Sequence, residues 1–185
     1  VASVVVLTAA GEGAQRFVSQ EFSSLGTNLL MVLPGRNETT GALPGMGGVP
    51  NDLTLADVRA VERELRGVRL IVPSVTGNDT VANGERRRQV AVVGTTAGFQ
   101  KTRQLKLAAG RFLPPGEMER GAAVSVIGSK IARELFGAEN AVGRVIRIGS
   151  WRMRVIGVLA PKGRQLGLDI DDMVMLPIAT GMRIF

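Results

Sequence analysis

The stretch from Ala122 to Pro161, AAVSVIGSKIARELFGAENAVGRVIRIGSWRMRVIGVLAP, constrains the fold more than any other, because it holds three successive elements whose boundaries follow from residue chemistry. Ala123–Ile127 is a short apolar run stopped by Gly128, which predicts a strand. Ser129 stands where an N-cap hydroxyl would accept from the free amides of a first helical turn. Ile131, Ala132 and Leu135 follow at helical spacing, and Gly137 is placed to end the helix in a left-handed conformation. Gly149-Ser150 then lies between two β-rich runs, glycine first, as a type II′ two-residue turn requires. That turn sets a register in which Ile148 faces Trp151 and Ile146 faces Met153 on one apolar face. Arg147 faces Arg152 and Val145 faces Arg154 on the other. Opposed arginines are unfavourable unless screened, so the second face is expected to meet solvent or an anionic partner.

A chain of 185 residues can bury one good core or two small ones, and 45% apolar with 21% charged residues is the composition of a folded protein. The net charge of +7 is spread along the sequence except at Arg86-Arg87-Arg88 and the hairpin arginines, and with no Tyr and a single Trp a base-stacking platform is thin. The chain has neither His nor Cys. This removes the commonest general base, thiol nucleophiles, zinc clusters and disulfides together. No Ser-x-x-Lys or Gly-x-Ser-x-Gly pattern offers another start for catalysis. Few enzyme mechanisms survive these absences, and no residue pattern points to a cofactor or a metal. Val1 is not an initiator methionine, which suggests a piece of something longer.

In chain order, Val1–Ala10 is apolar but shorter than the roughly 20 residues a membrane span needs, so it is either a buried strand or the tail of a span. Ala14, Val18, Phe22 and Leu25 predict an amphipathic helix over Gly13–Leu25 stopped by Gly26, and Leu29–Leu33 a strand closed by Pro34-Gly35. Pro34–Pro50 is too rich in glycine and proline to be anything but a loop, and lacks the Gly-Lys-Ser/Thr of a phosphate cradle. Thr54-Leu-Ala-Asp57 resembles a capping box and opens a helix with Val58, Val61 and Leu65 on one stripe, ended by Gly67. Val68–Val72 reads as a strand ended by Pro73. Thr80–Ala82 and Glu85–Val93 flank an Asn83-Gly84 hairpin turn, with the arginine triplet at a solvated tip or in a binding role. Phe99–Ala108 is open between helix and loop, Gly110–Gly116 is turn-rich, Lys162–Asp172 a loop, Met173–Pro177 a strand, and Ala179 a helix start. Asp169, Asp171 and Asp172 lack the central glycine and terminal Glu of an EF-hand, so solvent or the hairpin arginines are their expected partners over calcium.

Several phrases together resemble the extracytoplasmic core domain of MacB-type ABC transporter permeases. They are Val4–Ala14, Leu25-Gly-Thr-Asn-Leu-Leu30, Pro34-Gly35, Leu53–Asp57 and Gly110-Arg-Phe112, then Val126-Ile-Gly128, Leu135-Phe-Gly137, Val142-Gly143 and Val155-Ile-Gly-Val158. The resemblance implies an α+β, two-lobed domain inserted between two membrane spans. Residues 1–12 would end the first span, with Val4, Val5, Val6 and Leu7 membrane-proximal. Residues 13–81 with 173–185 would form a membrane-proximal βαβ lobe carrying a stalk helix, and 82–172 a distal β-rich lobe. It further implies an inner-membrane protein with this domain in the periplasm. The domain would couple cytoplasmic ATP hydrolysis to substrate extrusion through an adaptor (membrane-fusion) protein, within a homodimeric permease served by an ABC ATPase. Arg86, Arg87, Arg88, Arg147, Arg152 and Arg154 are the candidate partner contacts. The competing expectation is a basic β-rich module for nucleic acid or anionic lipid.

Overall fold

The computed structural model describes residues 29–34, 53–116, 118, 121–165 and 168–185. The chain divides into a unit ending at Val32 and a second from Leu33 to Phe185, which carries the regular elements described. The expected segments Val1–Ala10 and Gly13–Leu25, and the loop beyond Pro34, lie outside the described residues. Leu29–Leu33 is exposed and not a strand, because no strand among the described residues pairs with it.

Helix α1 (Leu55–Glu64) opens as its sequence predicts. Asp57 N donates to Thr54 Oγ1 at 3.3 Å and Thr54 N donates to the Asp57 carboxylate at 2.8 Å, a reciprocal cap that holds the Asp57 carboxyl below its ordinary value. Val68–Val72, expected as a strand, is irregular. Its proline neighbour Pro73 offers no N–H to a ladder, and Val72 instead packs its side chain onto the core.

The strands are β1 (Val75–Asn83), β2 (Arg86–Thr95), β3 (Leu107–Gly110), β4 (Val124–Ile127), β5 (Val145–Ile148), β6 (Trp151–Leu159) and β9 (Met173–Pro177), with the two-residue pair β7 (Arg164–Gln165) and β8 (Leu168–Asp169) inside the expected loop. Seven form one mixed sheet in the order β3-β6-β4-β9-β2-β1-β5, and β5 pairs again with β6. Six strands thus close into a ring, with β3 a seventh laid along the outer half of β6. Parallel pairing occurs at β2–β9 and β4–β6. The lobe boundary expected at Val81/Ala82 falls inside β1, and Met173–Pro177, expected with the other lobe, sits between β2 and β4. Its unbroken run Met-Val-Met-Leu suits that place, since a strand covered on both faces needs no polar alternation.

Alternation along the strands builds two cores. Val81, Val90, Val92, Ile127, Ile146, Ile148, Met153, Val155, Val174 and Leu176 come from all six ring strands and form one cluster, into which helix α3 (Ser129–Phe136) sets Ile131, Leu135 and Phe136. The opposite face of β2, β9, β4 and β6 supplies Val93, Met173, Met175, Val126 and Ile156 to a second cluster covered by Phe99 of α2 (Gly98–Thr102), Phe112, Leu113 and Ile170. The last helix, α4 (Ile178–Ile184), begins one residue before the predicted start and lies close on β2. A Cβ on Gly181 would stand 2.6 Å from the Gly94 Cα, so that approach needs glycine on both sides.

Three local expectations are corrected. The first hairpin turns at Gly84-Glu85, not Asn83-Gly84: Asn83 pairs with Arg86 in the ladder, and Gly84 takes the positive φ of +60°. The N-cap of α3 is Gly128 and Ser129 is its first helical residue, with a buried Oγ lacking any hydrogen-bond partner among the described residues. Gly128 is held there because a Cβ would collide with the Asp171 carbonyl. Trp151, placed by its register on the apolar face, is 41% exposed, since β4 joins β6 only from Arg154 onward.

Candidate functional site

The arginine triplet does not act as one tip. Because successive strand residues point to opposite faces, Arg86 and Arg88 share the ring-interior face with Val90 and Val92, while Arg87 is turned outward. Arg88 is the centre of an ion-pair network at the end of the ring. It grips Asp172 with both branches of its guanidinium, Nε reaching Oδ1 at 2.7 Å, and also pairs with Glu134. Lys130 joins Asp172 at 3.1 Å. The network ties β2 to α3 and to the 3₁₀ turn Ile170–Asp172. Hydrogen bonding from Arg88, opposed by partial burial and supported by Lys130, holds the Asp172 carboxyl below its ordinary value, and the bond to Asp172 raises the Arg88 guanidinium above its own. Arg86 Nη1 and Asn83 Nδ2 both donate to the Leu135 carbonyl at the C-terminal end of α3, at 3.4 Å and 3.3 Å. They border an open cleft of about 340 Å³ that Glu85, Phe136 and Glu139 complete.

The aspartate cluster is spent on the same structural work. Asp171 accepts from the backbone N–H groups of Lys162 and Gly163 at 2.8 Å and 3.0 Å, and Asp169 accepts from Asp171 N at 3.2 Å. The expected pairing of these aspartates with the hairpin arginines does not occur, because Asp172 is engaged by Arg88 and Lys130 and its neighbours close their own loop. Lys162 donates its ammonium to the carbonyls of Arg103 and Gln104, and its burial and the adjacent Arg103 and Lys106 charges push its pKa down.

The hairpin register matches the sequence reading residue for residue: Val145↔Arg154, Ile146↔Met153, Arg147↔Arg152 and Ile148↔Trp151. Ile146, Ile148 and Met153 are buried, and Gly149 has φ +53°. A further relation could not be read from the sequence. β5 also pairs with β1 through Val81↔Ile148 and Ala82↔Arg147, and Ala82 pairs onward with Arg87. Directly opposed residues share a face, so Arg152, Arg147, Ala82 and Arg87 make one row across four strands on the outside of the ring. Arg154 lies beside it, with Nη1 donating to the Gly143 carbonyl at 3.2 Å. The side chains of Arg87, Arg147 and Arg152 make no hydrogen bond or ion pair among the described residues. Of the six candidate contacts, four therefore converge on this outer face and two, Arg86 and Arg88, are turned to α3. Lys130 and Glu134 were not among the candidates; their i, i+4 spacing beside the core residues Ile131 and Leu135 was the available signal. Among the described residues no three carboxylates are grouped to hold a metal ion.

The same fold is found in extracytoplasmic domains of ABC-type transporters. The periplasmic region of MacB from Actinobacillus actinomycetemcomitans aligns with a TM-score of 0.61 at 19% identity, over 71% of this chain and 58% of that one. The extracellular domain of the noncanonic ABC-type transporter YknZ from Gram-positive bacteria aligns with 0.59 at 23% identity, over 69% and 64%. The chain belongs to the MacB-like periplasmic core domain family, whose model matches residues 1–185. Among its relatives, the macrolide export ATP-binding/permease protein MacB of Bdellovibrio bacteriovorus is 34% identical over all of this chain. That of Chlorobium luteolum is 33% identical over 98% of it. The chain spans 28% and 27% of the length of these two relatives.

Proposed function

We propose that the chain is the extracytoplasmic domain of an inner-membrane ABC transporter permease and does no chemistry itself. It passes movement driven by cytoplasmic ATP hydrolysis to a periplasmic adaptor and so to a substrate being extruded. The observation that carries this reading is the family match over residues 1–185, in relatives whose names join an ATP-binding part to a permease. The architecture is suited to it: a ring of six strands with a core on either side, cross-tied by the Arg88–Asp172–Lys130–Glu134 network, moves as a rigid body better than it deforms. On this reading residues 1–12 end a membrane span, with Val4–Leu7 nearest the bilayer, and residues 13–81 with 173–185 build the stalk and membrane-proximal lobe. The ATPase is a further part or subunit of the parent transporter, and the permease works as a homodimer. Nucleic acid has no place on this side of the membrane.

The chain contains no cysteine, so Ser150→Cys at the exposed hairpin tip gives the domain a single thiol. In the full-length permease, a membrane-impermeant maleimide should label this thiol in spheroplasts and not in sealed inside-out vesicles. Labelling only in the inverted vesicles would sink the assignment.

A further inference from the structure

We infer that the outer row Arg152–Arg147–Ala82–Arg87, with Arg154 beside it, is the docking face for an acidic protein surface. The inference deepens the adaptor reading above and rests on it. Four observations lead here. The register places four guanidiniums on one face across β6, β5, β1 and β2, within three inter-strand steps of about 4.8 Å each. Of these, the side chains of Arg87, Arg147 and Arg152 make no hydrogen bond or ion pair among the described residues, whereas Arg88, one residue away on the other face, is fully engaged. Along β2 the outer face runs Arg87, Gln89, Ala91, Val93 and along β6 Arg152, Arg154, Ile156, passing from open basic surface to the second core. Arg87, Arg147, Arg152 and Arg154 are all exposed at its basic end.

The composition selects the partner. Three of the four strands contribute arginine, β1 contributes Ala82, and none contributes lysine. A planar guanidinium fork fits carboxylates in pairs, whereas an anionic lipid surface attracts lysine and arginine alike. Asp79, whose carboxylate stands close to Gly149, points to the opposite face and accepts from Thr80 N. Two arginines opposed at Arg147↔Arg152 are tolerated in the free domain and compensated on docking.

The test uses the purified full-length permease and, as probe, the adaptor encoded with it. Wild-type protein should bind, with affinity falling about tenfold or more between about 50 and about 300 mM NaCl. Arg87→Glu/Arg147→Glu/Arg152→Glu should weaken binding by about tenfold or more with an unchanged melting temperature. Lys101→Glu on α2 should bind as wild type. Should the triple reversal perturb folding, Arg147→Gln/Arg152→Gln gives the same reading with the shape retained. Undiminished binding by both variants overturns the docking face and leaves the adaptor reading standing. No binding by wild type overturns the adaptor reading and the docking face with it. Association of wild type with phosphatidylglycerol vesicles that the reversal abolishes, without an effect on the adaptor, would reassign the face to lipid and overturn the inference.

Discussion

Removing the Asp172 carboxylate should measure how firmly the ring is tied to its helix. In Asp172→Ala, Arg88 loses both bonds to that carboxylate and Lys130 loses its only ion-pair partner, while Arg88 keeps Glu134 and is not stranded. Hydrogen bonds to charged groups are worth about 1.5–3 kcal/mol each. The Asp172 and Arg88 side chains are 18% and 26% exposed, and the 38% exposed Lys130 pair adds little. Two such bonds sum to about 3–6 kcal/mol, and the partial solvent exposure of both partners with the retained Glu134 pair reduces the net loss to about 2 kcal/mol. In a domain of this size that lowers the melting temperature by roughly 4–8 °C. A double-mutant cycle with Arg88→Ala, read by thermal and urea unfolding, should give a coupling of about 1 kcal/mol or more. The pH dependence has a defined sign. Asp172 has its folded pKa depressed below its ordinary 3.8, so its contribution is present above 3.8 and is lost as pH falls through the folded value. Wild type and Asp172→Ala should differ fully at neutral pH and converge below that window. A coupling under about 0.5 kcal/mol, or a gap that persists unchanged in acid, would refute the network as a tie.

The two hairpin glycines differ only in their surroundings. Gly84→Ala has open space at φ +60° and should cost about 1–2 kcal/mol from backbone strain, whereas Gly149→Ala adds a contact at 2.5 Å with the Asp79 carboxylate and should cost more; paired melts separate the two effects. Gly94→Ala should destabilise by about 1–3 kcal/mol, since its Cβ would meet the Gly181 backbone at 2.8 Å and push α4 off β2. Ile131→Ala, wholly buried inside the ring, should lose about 2–5 kcal/mol in urea titration. Arg147→Ala should stay within about 0.5 kcal/mol of wild type or gain slightly, because it removes a like-charge opposition and no bond.

Short-range signals carried much of this fold into the sequence. The Gly149-Ser150 register, the Thr54 cap, β9 and α4 were legible because each depends on neighbours a few residues away. Val68–Val72 misled because an apolar run packs equally well as a strand or as side-chain cover, and the choice is made by Gly98 and the second core behind it. The pairing of β5 with β1, and the partnership of Arg88 with Asp172 across 84 positions, are tertiary facts with no local trace. The candidate arginines were found by their charge, but only the alternation of β2 sorted Arg87 from Arg86 and Arg88. The family resemblance read from scattered phrases is borne out by the match over residues 1–185.

Closure of the ring also bears on how the domain survives crowding. A strand at the rim of an open sheet presents unpaired N–H and C=O groups on which another chain can grow. Here β5 joins β6 to β1, so six of the seven strands have neighbours on both sides over part of their length. Among the described residues the longer stretches unpaired on one side include the four residues of β3, β1 before its pairing with β5 at Val81 and Ala82, and β2 before its pairing with β9 at Ala91, which carries three arginines. The first is short, and the second runs through Gly77-Asn78-Asp79, three of the poorest strand formers and one of them charged. The sheet offers little template for addition, a property that favours a domain crowded against others of its kind.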